Sequence, residues 1–208
     1  VYNYMCIGLA LTGAVAFATS SSPAMMQVIH GTPLKWVAML APIGMVFFLA
    51  ARVHAMKAST AQAVFWVYAG LMGLSLSYIF MVYTGASVTR VFFITAGAFA
   101  GLSLYGYTTK KDLSGMGSFL IMGVIGLIIA SVINIFLAST ALQFAISVLG
   151  VLIFAGLTAY DTQKIKAIYL ESDGTAVAEK KAIMGALTLY LDFINMFIFM
   201  LQLFGNRE

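Results

Sequence analysis

Seven acidic residues occur in this chain, and two of them, Asp161 and Asp192, lie inside apolar runs, "FAGLTAYDTQKIK" and "GALTLYLDFINMFIFMLQLF". The other five, Asp112, Glu171, Asp173, Glu179 and Glu208, fall in polar connectors or at the carboxyl end. An aspartate at the centre of a bilayer costs about 2.5–3.5 kcal/mol on insertion scales, so it turns toward other helices and needs a partner. No lysine or arginine stands at the matching depth in either run. Two carboxyls that meet in a poorly solvated place can share one proton, and such a pair responds to the pH of the water that reaches it.

A purely structural role is the competing reading. Asp161 could cap a broken helix or bond to Tyr160, Thr162 or Gln163, and Asp192 could bond to Asn195 about one turn on. Asn134 and Ser131 read as interhelical hydrogen-bond donors rather than ion ligands. Arg52 and His54, after an apolar run, read first as an orientation signal and second as a latch able to reach the acidic pair. His30, beside Gly31, is too isolated to suggest a metal site, and the single Cys6 excludes an internal disulfide or a cysteine cluster.

The elements that must carry these residues follow from composition. The chain has 208 residues, 62% hydrophobic and 9% charged, with a mean hydropathy of +1.00. A soluble domain is about a quarter charged, so this composition specifies a polytopic membrane protein. A span needs about 20 mostly apolar residues. Seven windows qualify, at 3–21, 34–51, 61–84, 89–108, 115–138, 142–168 and 182–204, joined by connectors too short to fold alone. The expected architecture is all-α, one transmembrane domain over 1–208. "AFATSSS" resembles a signal-cleavage region, but no basic stretch precedes it, so the first run reads as a transmembrane helix. The opening Val1 implies further residues upstream.

With the sixth helix ending near 168 and the seventh beginning near 184, Asp161 lies seven residues before the connector and Asp192 eight after it. At about 1.5 Å per residue, both are roughly 10–12 Å below one surface, where antiparallel neighbours could bring them together. A cytoplasmic amino terminus puts Arg52, Lys57, Lys110, Lys111, Lys164, Lys166, Lys180 and Lys181 inside and Lys35, Arg90 and Arg207 outside. Eight against three satisfies the positive-inside rule, and Trp36, Trp66, Tyr83 and Tyr107 fall near helix ends, where amphipathic rings favour the interface. The net charge of +4 is scattered over short connectors, which excludes a nucleic-acid stripe. Glycine clusters such as "GLMG" (70–73) and "GAFAG" (97–101) read as sites of close helix packing. No phosphate-cradling loop is present, and no internal repeat of the transporter kind is evident.

"GLTAYDTQKIK" (156–166), followed by "LTLYLDFINMF" (187–197), resembles the signature of the Bax inhibitor-1, or transmembrane Bax inhibitor motif, family. The stretches 71–120 and "SVINIF" (131–136) are similar to its bacterial branch, so the resemblance covers nearly the whole chain. It implies seven helices, six around a hydrophobic last one, in a bacterial inner membrane. It also implies that Asp161 and Asp192 act as a pH sensor on a calcium leak, with an arginine of the second helix as latch. Arg52 is the only arginine there, the alignment around "FLAARVHAMKAS" leaves its match to the family's position open, and the acidic residue that some relatives carry in that helix is absent.

The leading expectation is a non-enzymatic, pH-regulated cation leak, with calcium and protons as its ions and the bilayer as its surroundings. No tightly bound cofactor is expected. Two carboxylates with carbonyls or water make a weak calcium site, since calcium takes several oxygens at about 2.3–2.6 Å, and tight binding would oppose passage. Tyr160, Gln163, Asn195 and Asn134 are candidate supporting groups. The alternative is a regulator that binds a membrane protease or a stress or cell-death factor without transport. An intramembrane aspartyl protease also pairs two aspartates, but Leu189, Tyr190 and Leu191 stand where Gly-x-Gly would precede the second. Proton-coupled antiport is a further alternative.

Overall fold

The computed structural model describes residues 1–169 and 173–207, apart from the side chain of His54. Among these residues the regular structure is helical, as hydrocarbon requires: each backbone N–H and C=O must find its partner within its own segment. The elements are α1 (Tyr2–Ser20), α2 (Pro23–His30), α3 (Leu34–Arg52), a 3-10 turn (Val53–Ala55), α4 (Ala58–Leu76), α5 (Ile79–Val82), α6 (Gly85–Thr108), α7 (Ser114–Leu137), α8 (Thr140–Ile168) and α9 (Thr175–Phe204). Seven segments are long and apolar enough to cross a membrane: α1, α3, residues 58–82, α6, α7, α8 and α9. The protein is an integral membrane protein of seven transmembrane helices.

Three departures from the sequence reading have local causes. The first connector contains a helix, α2, started by Ser22, whose hydroxyl accepts the Met25 N–H, and by Pro23 in the first turn, where its missing N–H costs nothing. The third span is broken at Ser77 and Tyr78. There the Ser77 hydroxyl donates to the Leu74 carbonyl and also meets His30 Nε2 at 2.8 Å, a local competitor to helical bonding. The last helix begins at Thr175 rather than 182, so Glu179, Lys180 and Lys181 are helical and not in a connector. Its foot is tied by Lys181 Nζ to Asp173 Oδ2 at 2.6 Å.

The chain forms two compact units. The first comprises 1–84 and 169–190, the second 85–168 and 191–207. In the first, α1 and α3 pack on α4. Tyr190 of α9 is fully buried there, edge-on to Phe65 and Tyr68 at ring separations of 6.0 and 5.6 Å. In the second, α8 packs on both α6 and α7, while Phe193 of α9 stacks edge-on with Phe92 and Phe99 at 5.3 and 5.5 Å. The last helix thus gives its first half to one unit and its second half to the other. Two thirds (67%) of its apolar window is buried, against 11% for α7, whose Phe119, Ile128, Ile135 and Phe136 are exposed for lipid.

Of the glycine clusters, only one member packs closely: at Gly73 of "GLMG" a Cβ would press on the Thr12 carbonyl of α1, whereas a methyl at Gly70, Gly97 or Gly101 would meet nothing within 4 Å. The tightest approach lies outside the clusters, at Gly106, where a Cβ would run into the Ala159 carbonyl of α8.

Candidate functional site: a buried carboxyl pair

Asp161 lies on α8, seven residues before that helix ends at Ile168, and Asp192 lies in the middle of α9. Both belong to the second unit. The register of α8 is set by the close approach at Gly106: only a residue without a side chain lets α6 reach the Ala159 carbonyl, two positions before Asp161. On α9, Phe193 beside Asp192 is locked between Phe92 and Phe99, which fixes the rotation of the helix. With both helices held, the two carboxyl groups come within interaction range of each other. Since carboxylates only accept, a hydrogen bond between them requires a proton on one of them.

The surroundings restrict what the pair can do. Asp192 is 4% exposed, its Oδ2 has no hydrogen-bond partner, and Asp161 is half-buried. Among the described residues no third His, Cys, Asp or Glu joins them, so the protein supplies fewer ligands than a tight divalent site uses. The Lys164 ammonium, about one turn beyond Asp161, is the cation whose charge acts on that carboxyl. Chemically, the pair can take up and release a proton and attract a cation weakly.

The other residues singled out in the sequence have different roles. The Asn195 amide donates to the Leu191 carbonyl at 2.8 Å, its own helix, rather than to Asp192. Gln163 clamps the α6–α7 connector: its Nε2 donates to the Lys111 carbonyl at 2.8 Å, and its Oε1 accepts from the Leu113 N–H at 2.9 Å. Thr162 reaches Ser103 at 3.4 Å. Tyr160 lies against Gly117 and under the Lys164 ammonium, 5.9 Å from its ring centre. Asn134 does donate between helices, to Gln143 Oε1 at 3.1 Å, but Ser131 turns back on the Leu127 carbonyl of its own helix. Arg52 ends α3 in the first unit with an exposed side chain, and the side chain of His54 lies outside the described residues.

A second polar group escaped the sequence reading. Gln143 donates to Gln202 Oε1 at 2.9 Å, and Ser147 donates to the same oxygen at 2.8 Å, so Asn134, Gln143, Ser147 and Gln202 form one chain of bonds across α7, α8 and α9. The signal was available: an uncharged amide in an apolar run must find a partner just as a carboxylate must. Of the four residues, the sequence reading named only Asn134.

Fold and site together define a seven-helix integral membrane protein with two neighbouring carboxyl groups, one of them buried. Comparison with known proteins gives the family. The model of the family described as "Inhibitor of apoptosis-promoting Bax1" matches residues 1–208, and the chain belongs to that family. It is 51% identical over 219 aligned positions to a protein of Caulobacter vibrioides, covering all of this chain and 88% of that one. A Rickettsia prowazekii protein is 48% identical over 208 residues, again with all of this chain and 88% of the relative. The inner membrane protein YbhL of Escherichia coli is 45% identical over 211 residues, with 100% and 90% covered.

Proposed function

We propose that the protein is a passive, pH-regulated leak for cations, calcium foremost, gated by the protonation of Asp161 and Asp192. The observation that carries this reading is the contact between the two carboxyls, one of them 4% exposed with an unpartnered oxygen. A structural aspartate would have its oxygens satisfied by donors, whereas a pair that bonds only when protonated changes its interactions as the proton leaves. In the ionised state the pair attracts a cation and holds the path closed. Protonation removes that attraction and shifts the population toward the open state. Low pH therefore opens and high pH closes. The lack of a third acidic ligand among the described residues suits an ion in passage, which must bind weakly enough to leave.

The orientation that goes with this reading has the amino terminus in the cytoplasm, as the eight-to-three distribution of basic residues favours, with Asp161 near the cytoplasmic end of α8 and Asp192 in the middle of α9, deeper than a helix start near 184 implied. Calcium flux into liposomes containing the purified protein tests the mechanism. In the parent, flux should rise as pH falls. Asp161→Asn and Asp192→Asn should each flatten that dependence. Flux indifferent to pH, or an unchanged profile in both aspartate variants, defeats the proposal.

A second reading is favoured by the family's own description, which names inhibition of another protein. In it the carboxyl pair would switch an interface with a membrane protein, and purified protein in liposomes would carry no ion at any pH.

A further inference from the structure

We propose that a basic recess at one end of the second unit binds the phosphate of an anionic phospholipid headgroup. The recess is open, about 440 Å³ in volume, and its lining includes Lys110, Lys111, Asp112, Tyr160, Gln163 and Lys164. Three lysines against one aspartate leave the lining at +2. The one acid is already engaged: the Ser114 N–H donates to Asp112 Oδ1 at 2.9 Å, and Ser114 holds that carboxyl below the usual carboxylate range. Lys110, Lys111 and Lys164 form no ion pair among the described residues.

The site is built rather than a chance gathering of surface lysines. Gln163 fastens the connector 109–113 to α8 at both ends of its amide, which fixes the backbone bearing Lys110 and Lys111 beside Lys164. Tyr160 forms part of the wall, seated where Gly117 leaves room: a Cβ there would run into its ring. The α7 amino terminus at Ser114 adds the positive end of a helix dipole.

The apolar part of the lining selects a lipid over free phosphate. Ala167 and Ile168 continue the basic wall, Ile168 is 43% exposed, and Tyr169 follows at 62%. The recess opens at helix ends, which in this protein lie at the membrane surface, so one ligand can lay its phosphate among the lysines and its glycerol and first methylenes on this apolar rim. Basic recesses between helix ends bind anionic headgroups by the same combination.

The test measures lipid retained by the full chain in native mass spectrometry, from micelles doped with phosphatidylglycerol or phosphatidylcholine. Phosphatidylglycerol should be retained in preference. Lys110→Gln, Lys111→Gln and Lys164→Gln should each weaken retention about fivefold, and together about a hundredfold. The charge-matched set Lys35→Gln, Lys57→Gln and Arg90→Gln should leave it unchanged, and Lys→Arg at the three recess positions should preserve it, which also reports on folding. Equal retention of the two lipids, or equal loss in the recess and control sets, overturns the proposal. Inorganic phosphate that displaces phosphatidylglycerol and binds as tightly would reassign the site to a soluble ligand and overturn it too.

Discussion

Tyr68 and Tyr190 are both buried in the first unit, yet their hydroxyls are in opposite states. Tyr190 Oη is 2.6 Å from Thr12 Oγ1, and since the single Thr12 proton has the Gly8 and Ala69 carbonyls at 2.9 Å, Tyr190 is the donor. The Tyr68 hydroxyl is buried without a partner. A buried hydroxyl left unbonded costs about 1–3 kcal/mol, whereas a made bond contributes about 0.5–1.5 kcal/mol. Tyr68→Phe should therefore leave stability unchanged or raise it by about 1 kcal/mol, and Tyr190→Phe should lower it by about 1 kcal/mol. Thermal unfolding in detergent distinguishes them; equal losses would mean that Tyr68 has a partner. The same accounting applies to Asp192, whose buried Oδ2 has no hydrogen-bond partner.

At the scale of elements, α6 contains its own control experiment. Gly97 and Gly101 face open space, while Gly106 touches the α8 backbone beside Ala159. Alanine at Gly97 or Gly101 should be neutral or stabilising by up to about 1 kcal/mol, from helix propensity alone. Gly106→Ala has no flexible side chain to displace and must push α8 away, which should cost about 1–3 kcal/mol. Because Ala159 stands two residues before Asp161, the same change should weaken the pH dependence of flux in liposomes, whereas Gly97→Ala should not. The glycine pattern was visible in the sequence, but which glycines are in contact was not. Contact depends on the rotation of each helix about its axis, and seven nearly all-apolar segments carry little polarity to indicate that rotation.

For the whole molecule, topology is the property most open to test. In the proposed orientation, with the amino terminus in the cytoplasm, seven spans would put 57 and 110 on the cytoplasmic side and 21 and 140 outside. After replacement of the exposed Cys6, an impermeant thiol reagent applied to intact cells should label Ser21→Cys and Thr140→Cys and spare Lys57→Cys and Lys110→Cys; the reverse pattern would invert the protein and send the carboxyl pair to the outer side. Class, span number and the two informative aspartates were all legible in the sequence, because hydrocarbon requires long apolar segments and makes every exception to apolarity conspicuous. That Asp161 and Asp192 meet, that Asn195 and Gln163 serve other bonds, and that Gln143 and Gln202 find each other was decided by the tertiary structure alone. Those outcomes depend on helix rotation and register, set by contacts such as Gly106 on Ala159 and Phe193 between Phe92 and Phe99, which join residues far apart in the chain.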